Sequence, residues 1–137
     1  MNKSAWNFDK KYNCWCLEDI PYTEKTTSPR FQQLSIFVPA PYMSAPGVVY
    51  REGKVGKYTA STVPVVFENN SAGYMEMPHT WLGGPRCYAE QYLERGFVYV
   101  SCGCRRRESR DREGQLCGKS PAALVDLKTA LRFLRRH

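Results

Sequence analysis

No stretch of the 137-residue sequence comes near the roughly 18 consecutive apolar residues that cross a bilayer, and the opening MNKSAWNFDKKYN holds no apolar signal core. The chain is therefore expected in the cytoplasm, with no membrane as partner. Histidine is nearly absent, since only His79 and His137 occur. Chemistry that needs an imidazole has two candidates at most. The pattern C-x-x-C is missing too: Cys14, Cys16, Cys87, Cys102, Cys104 and Cys117 fall into C-W-C, C-G-C and two isolated positions, with no histidine beside them. That argues against zinc, so no metal is expected. Without a route to an oxidising compartment the cysteines are expected as free thiols. RNP, K-homology and zinc-finger patterns are lacking as well, and no internal repeat is visible.

What the chain does have is enough apolar material for one core. Hydrophobic residues make up 42% and aromatic residues 13%, which excludes disorder for most of the length, and 137 residues suit one ordinary domain rather than two. The formal charge of +7 is unevenly spread: residues 105–137 hold ten Lys or Arg against four Asp or Glu, a net +6, leaving +1 for the first 104. Glu108, Asp111 and Glu113 interleave the arginines, so the basic stretch reads as a solvated loop and then the outer face of a helix. A basic nucleic-acid-binding module is the rival reading; nucleic acid is not the partner expected here.

Hydrophobic periodicity supplies the elements. Residues 1–30 are polar and aromatic, with a candidate strand at Tyr12–Leu17 and TEKTTSPR as a turn. Leu34, Ile36 and Val38 alternate with Gln33, Ser35 and Phe37, which predicts a half-buried strand ended by Pro39 and Pro41. Residues 40–62 form a long connection carrying a short strand at Val48–Tyr50. Val63–Glu68 (VPVVFE) is apolar on both parities and predicts a strand covered on both faces, followed by a turn over Asn69–Gly73. Pro85 opens a helix over 85–95, and Gly96 stands where a C-terminal cap belongs. Phe97–Cys102 is a second buried strand, with Cys102 acting as a small hydrophobe. Strand, helix, strand at this spacing makes the two strands parallel. After the charged loop 105–119, Ser120 and Pro121 open a helix over 121–136. Its Ala123, Leu124, Leu127, Ala130, Leu131 and Leu134 are expected to pack on a sheet, while Asp126, Lys128, Arg132 and Arg135 face outward.

The segment FENNSAGYMEMP, and after it YAEQYLERGFVYVSCGCRRRESRDREGQLCGKSPAALVDLKTALRFLRRH, resembles the N-terminal portion of bacterial tannase-like esterases of the α/β-hydrolase superfamily. The shared pattern is Gly73-Tyr74 after a strand, Arg95 to Val100, Gly114 to Ala122 in an arginine-containing loop, and the Val125 to Lys128 helix. It covers roughly residues 31–137, with the first 30 weakly matched. The resemblance implies an α/β fold: the N-terminal part of an α/β-hydrolase, mostly parallel sheet with flanking helices, and incomplete. Residues 1–30 are then an N-terminal strand and loop segment, and residues 31–137 a partial hydrolase domain. The activity implied is carboxylic ester hydrolysis by a serine nucleophile through an acyl-enzyme, on a small-molecule ester, with no cofactor. The nucleophile elbow, the acid and the catalytic histidine are expected downstream of His137, so this chain is expected to be inactive alone. The next strand should lie beside Phe97–Cys102; without it that open edge should recruit the missing C-terminal half or another copy. A non-catalytic interaction protein, or a subunit that completes its sheet with another chain, is the alternative reading.

In this family the turn after the third strand presents a backbone N–H to the oxyanion, which by position assigns Gly73 or Ala72. Small side chains there let a substrate carbonyl approach. Read without the resemblance, Ala72-Gly73 is a tight turn. Tyr74 and the arginines at the end of the following strand, Arg105, Arg106 and Arg107, are the candidate substrate contacts, since α/β folds place ligands at strand C-termini. Their alternative is solvation or pairing with Glu108 and Asp111. Ser71 is a decoy: it follows a strand and has S-x-G, but an elbow needs a small residue where Asn69 stands. Its one nearby partner is His79, read as a surface histidine.

Overall fold

Residues 5–70 and 75–136 are described by a computed structural model. Among these described residues nine strands and two helices follow in the order β1 (Asn7–Asp9), β2 (Cys14–Pro21), β3 (Gln33–Pro39), β4 (Met43–Ala45), β5 (Val48–Val49), β6 (Lys54–Val55), β7 (Tyr58–Thr59), β8 (Val65–Asn69), α1 (Ala89–Leu93), β9 (Val98–Cys102) and α2 (Ala122–Arg136). A 3-10 turn at Ala40–Tyr42 links β3 to β4. Five strands make one sheet in the order β1-β2-β3-β9-β8, and the long connection folds into two antiparallel ribbons, β4–β5 and β6–β7.

The sheet is mixed. β1 and β2 are antiparallel, with Asn7 opposite Cys16 and Asp9 opposite Cys14. β8 and β9 are parallel, as their spacing predicts: the Val98 N–H reaches Pro64 O at one end (3.1 Å) and the Asn70 N–H reaches Cys102 O at the other (3.1 Å). Strand order corrects the expectation of an open side on Phe97–Cys102. The chain enters β9 between β3 and β8, so both its sides are paired, and the edges are β1 and β8. Burial follows this order rather than each strand's own pattern. Leu34, Ser35, Ile36 and Phe37 of β3 are all buried, where alternation predicted a half-buried strand. β8, read as covered on both faces, leaves Val65 more than half exposed because it is an edge.

The chain divides into two compact units. The first comprises Met1–Glu18, Ile36–Phe67 and Trp81–Val100. Its core gathers Cys14, Cys16, Phe37, Ala89, Leu93 and Tyr99, with Tyr92 and Val66 packed against them. Tyr92 stacks on Tyr99 (5.4 Å between centroids), and each large side chain buried here contributes about 1.5–3 kcal/mol. α1 is five residues long rather than the predicted eleven, because Arg86 sits at φ 66°, outside helical space, and delays the start. It ends as predicted: Gly96, at φ 80°, donates its N–H to Leu93 O (2.9 Å). The Tyr42 hydroxyl then caps the Gly96 carbonyl at 2.8 Å.

The second unit comprises Asp19–Ser35, Glu68–Thr80 and Ser101–His137. Here α2 overturns one expectation. Asp126, placed outward by the apolar period, is only 2% exposed, while Leu124, Val125 and Leu131 are largely in solvent. The ridge Ala122–Asp126–Ala130, spaced by four, is the face turned inward, and its small alanines admit a carboxylate between them. Tyr22 donates its hydroxyl to Gly103 O (3.1 Å), and the Gly103 N–H reaches Gln33 O (3.0 Å). Gly103 admits no side chain: a Cβ would stand 2.8 Å from both Phe31 O and the His79 nitrogen. No helix among the described residues is long and apolar enough to cross a membrane.

Candidate functional site

The site predicted after the strand Val63–Glu68 falls on Ser71, Ala72, Gly73 and Tyr74, which lie outside the described residues. Their two flanks are described, and both belong to the second unit. Asn70 is buried; its side-chain amide donates to Ser101 Oγ (2.9 Å). On the far side Met75 leads into Glu76, whose carboxylate accepts a bond from the Ser109 hydroxyl (2.8 Å), and Met77 bridges to Cys104. Thr80 then donates its N–H to Ser101 Oγ (2.9 Å). Both flanks are thus tied to β9 or to the chain that follows it.

The three candidate arginines have three different fates. Arg105 is an internal ion-pair partner: its Nη2 donates to Asp126 Oδ1 (2.8 Å), and its Nε and backbone N–H donate to Asp126 Oδ2 (2.9 Å each). Its Nη1 is taken by Thr27 Oγ1 and Cys117 O (2.9 and 3.1 Å). This guanidinium is spent on structure, which removes Arg105 from the candidate substrate contacts; its proton is held even more firmly by the bonds to Asp126. Arg106 is 4% exposed, and neither solvated nor paired with Glu108 or Asp111. Its Nη2 donates to Asn70 O (3.0 Å) and its Nε to Met75 O (3.2 Å). Arg107 alone is free to meet a ligand, being 83% exposed and 3.5 Å from Glu108. It borders an open cavity of about 790 Å³ with Phe31, Glu76, Glu108, Arg110, Leu116 and Lys119.

Two acidic residues escaped the sequence reading. Asp126 accepts four hydrogen bonds, the last from Gln32 Nε2 (3.1 Å). The signal for it was the Ala-x-x-x-Asp-x-x-x-Ala ridge. Asp19 Oδ1 lies 3.0 Å from His79 Nε2. His79 is not a surface residue: it is 1% exposed, and burial lowers its pKa below the usual 6.5 while Asp19 opposes the shift. No local pattern marked Asp19, which lies sixty residues away in sequence. Cys102 and Cys104 are fully buried, and burial pushes both thiols up, which keeps them protonated. All six cysteines are free, and among the described residues no group of three or more His, Cys, Asp or Glu gathers to hold a metal ion.

A mixed sheet with a parallel β8–β9 pair defines the class of architecture. Its likeness to known proteins is particular. No protein-family model matches the chain, and no curated protein matches it. Solved tannases do. The tannase of Fusobacterium nucleatum superposes with a TM-score of 0.77 and 30% identity, over 90% of this chain and 25% of that one. The tannase from Lactobacillus plantarum gives 0.73 and 30%, over 88% and 25%. A tannin acyl hydrolase in complex with ethyl gallate gives 0.72 and 30%, over 88% and 26%. The chain is tannase-like, as the residues of Gly73-Tyr74 to Lys128 implied, and spans about a quarter of the length of these proteins.

Proposed function

We propose that the chain supplies the oxyanion segment of a serine carboxylic ester hydrolase of tannase type. The observation that carries this reading is the likeness to tannases at 30% identity over nine-tenths of the chain. In the proposed reaction a serine attacks the ester carbonyl, and the oxygen that becomes negative is met by two preorganised N–H groups. One comes from Gly73 or Ala72, the other from the residue after the serine. The serine, the acid and the catalytic histidine belong to the part of a tannase-like protein that this chain does not match. That part adds its sheet at β8, the edge from which the 71–74 segment departs. No cofactor enters the reaction.

An ester of a hydroxylated aromatic acid is the proposed substrate. Its support is the ethyl gallate complex of the similar hydrolase, together with a cavity lined by the apolar Phe31 and Leu116 and by Glu76, Arg107 and Lys119, side chains able to hydrogen-bond hydroxyl groups. Tyr74 and Arg107 are the proposed substrate contacts.

The test is hydrolysis by the purified chain. It should turn over neither a short-chain nitrophenyl ester nor a gallate ester above background, since an oxyanion donor without a nucleophile has no covalent route. Turnover abolished by Ser71→Ala would refute this and make Ser71 the nucleophile. In a polypeptide that also carries the serine, Gly73→Val should lower kcat by about a hundredfold or more.

A further inference from the structure

The helix α2 carries two apolar faces, and only one of them is used. The Ala122–Asp126–Ala130 ridge turns inward, and Asp126 spends its charge on Arg105. A second stripe, Leu124, Leu127, Leu131 and Leu134, runs beside it at spacings of three, four and three. At about 100° of rotation per residue these four leucines fall within an arc of about 80°. Leu124 is 57% exposed and Leu131 44%, while Leu127 and Leu134 are half-buried. A single leucine on a surface needs no explanation. Four on one stripe, at the spacing by which helices pack side by side, present a seam to another helix.

The charges beside the stripe select the helix it would take. Asp126 is the one acid of α2 and is buried, so every exposed charge on the helix is positive: Lys128, Arg132, Arg135 and Arg136. Among the described residues none of these four forms an ion pair. The helix dipole accounts for Arg135 and Arg136 in the last turn, but not for Lys128 in the middle. By the same rotation Lys128 and Arg135 border the stripe on the side away from the ridge. A second copy of the chain fits poorly there, because in an antiparallel pair through this stripe the two cations of each copy would face those of the other along one seam. We infer that the leucine stripe of α2 is a docking face for a helix of a partner protein, an amphipathic one whose own apolar stripe is flanked by Asp or Glu. The leucines interdigitate, and the partner's carboxylates meet Lys128 and Arg135 at the open border, which fixes how the helix lies. This surface is independent of the ester chemistry proposed above.

The test uses two fluorescent synthetic helical peptides with leucines at the same spacing, one flanked by glutamates and the other by lysines, titrated with the purified chain and followed by anisotropy. At low ionic strength the glutamate peptide should bind at least tenfold more tightly than the lysine peptide, a preference that added salt reduces. Leu124→Ser with Leu131→Ser should weaken that binding at least tenfold. Val125→Ser, on the other side of the helix, should leave it within twofold. Each of these positions is exposed, so the thermal midpoint checks that the variants stay folded. Lys128→Glu with Arg135→Glu should reverse the preference between the peptides. Binding of neither peptide, equal binding of both, or binding that survives the leucine changes in a folded chain would overturn the inference. Sedimentation that finds a dimer dissociated by Leu131→Ser would make a second copy the occupant and also overturn it.

Discussion

Replacing Asp126 by Asn keeps the shape of the side chain and removes its charge. The carboxylate takes four donors, three of them from Arg105 and one from Gln32. After the change, whichever way the amide is turned, its NH₂ faces donors: Arg105 N–H and Nε on one side, or Arg105 Nη2 and Gln32 on the other. The guanidinium also loses its neutralising charge at 15% side-chain exposure. Removing one partner of a buried pair costs about 3–5 kcal/mol, a third or more of the roughly 5–15 kcal/mol that holds a domain together. At about 3–4 °C per kcal/mol for a chain of this size, the midpoint should fall by about 10–20 °C. Urea and thermal unfolding followed by circular dichroism measure this directly. Glu108→Gln, which breaks the exposed pair with Arg107, is the control and should leave the midpoint unmoved. A loss below about 1 kcal/mol for Asp126→Asn would refute the reasoning, because it would mean that water replaces the carboxylate.

Thiol titration with a chromogenic disulfide should find only Cys87 and Cys117 accessible in the native chain, with Cys14, Cys16, Cys102 and Cys104 released on denaturation; early reaction of four or more would contradict the burial. Gly96→Ala should destabilise by about 1–2 kcal/mol in urea titration, since the residue sits at φ 80° and its Cβ would press to 2.9 Å from Val55. His79 sets an acid limit: with its folded pKa held below 6.5, the unfolded chain takes up the proton first as pH falls. Its contribution is present above about pH 6.5 and is lost as pH drops toward the folded value, so His79→Gln should flatten the dependence of the urea midpoint on pH below about 6.5.

Local signals in the sequence located elements well. β-branched and aromatic runs marked β9, and the period and flanking Ser-Pro marked α2 to within a residue. What the period could not give was which face of α2 turns inward, because Leu124 and Leu131 satisfy an apolar stripe as well as Ala122 and Ala130 do. The decision lay in two distant donors, Arg105 and Gln32. Strand order was equally hidden. A strand's own pattern reports one neighbouring face at a time, so inserting β9 between β3 and β8 reversed the burial expected for those two strands. The site fared likewise: three consecutive arginines are indistinguishable as letters, and their fates rest on partners distant in sequence. One met Asp126, one met two carbonyls, and one met water.

Separation along the chain gives the buried carboxylate of α2 a role in the order of assembly. Asp126 lies 21 residues from Arg105 but 94 from Gln32. Loop closure costs about 0.6 kcal/mol for each doubling of length, so the short loop closes about 1.3 kcal/mol more easily. Arg105 and α2 should therefore meet first, as a local hairpin-like intermediate that already carries a neutralised charge. Gln32, made early in synthesis, waits with its amide in water until that pair exists to receive it. Capture of the old segment by the new one is then the last event in forming this unit, completed after the transition state, and substitutions at Gln32 should speed unfolding while leaving the folding rate little changed.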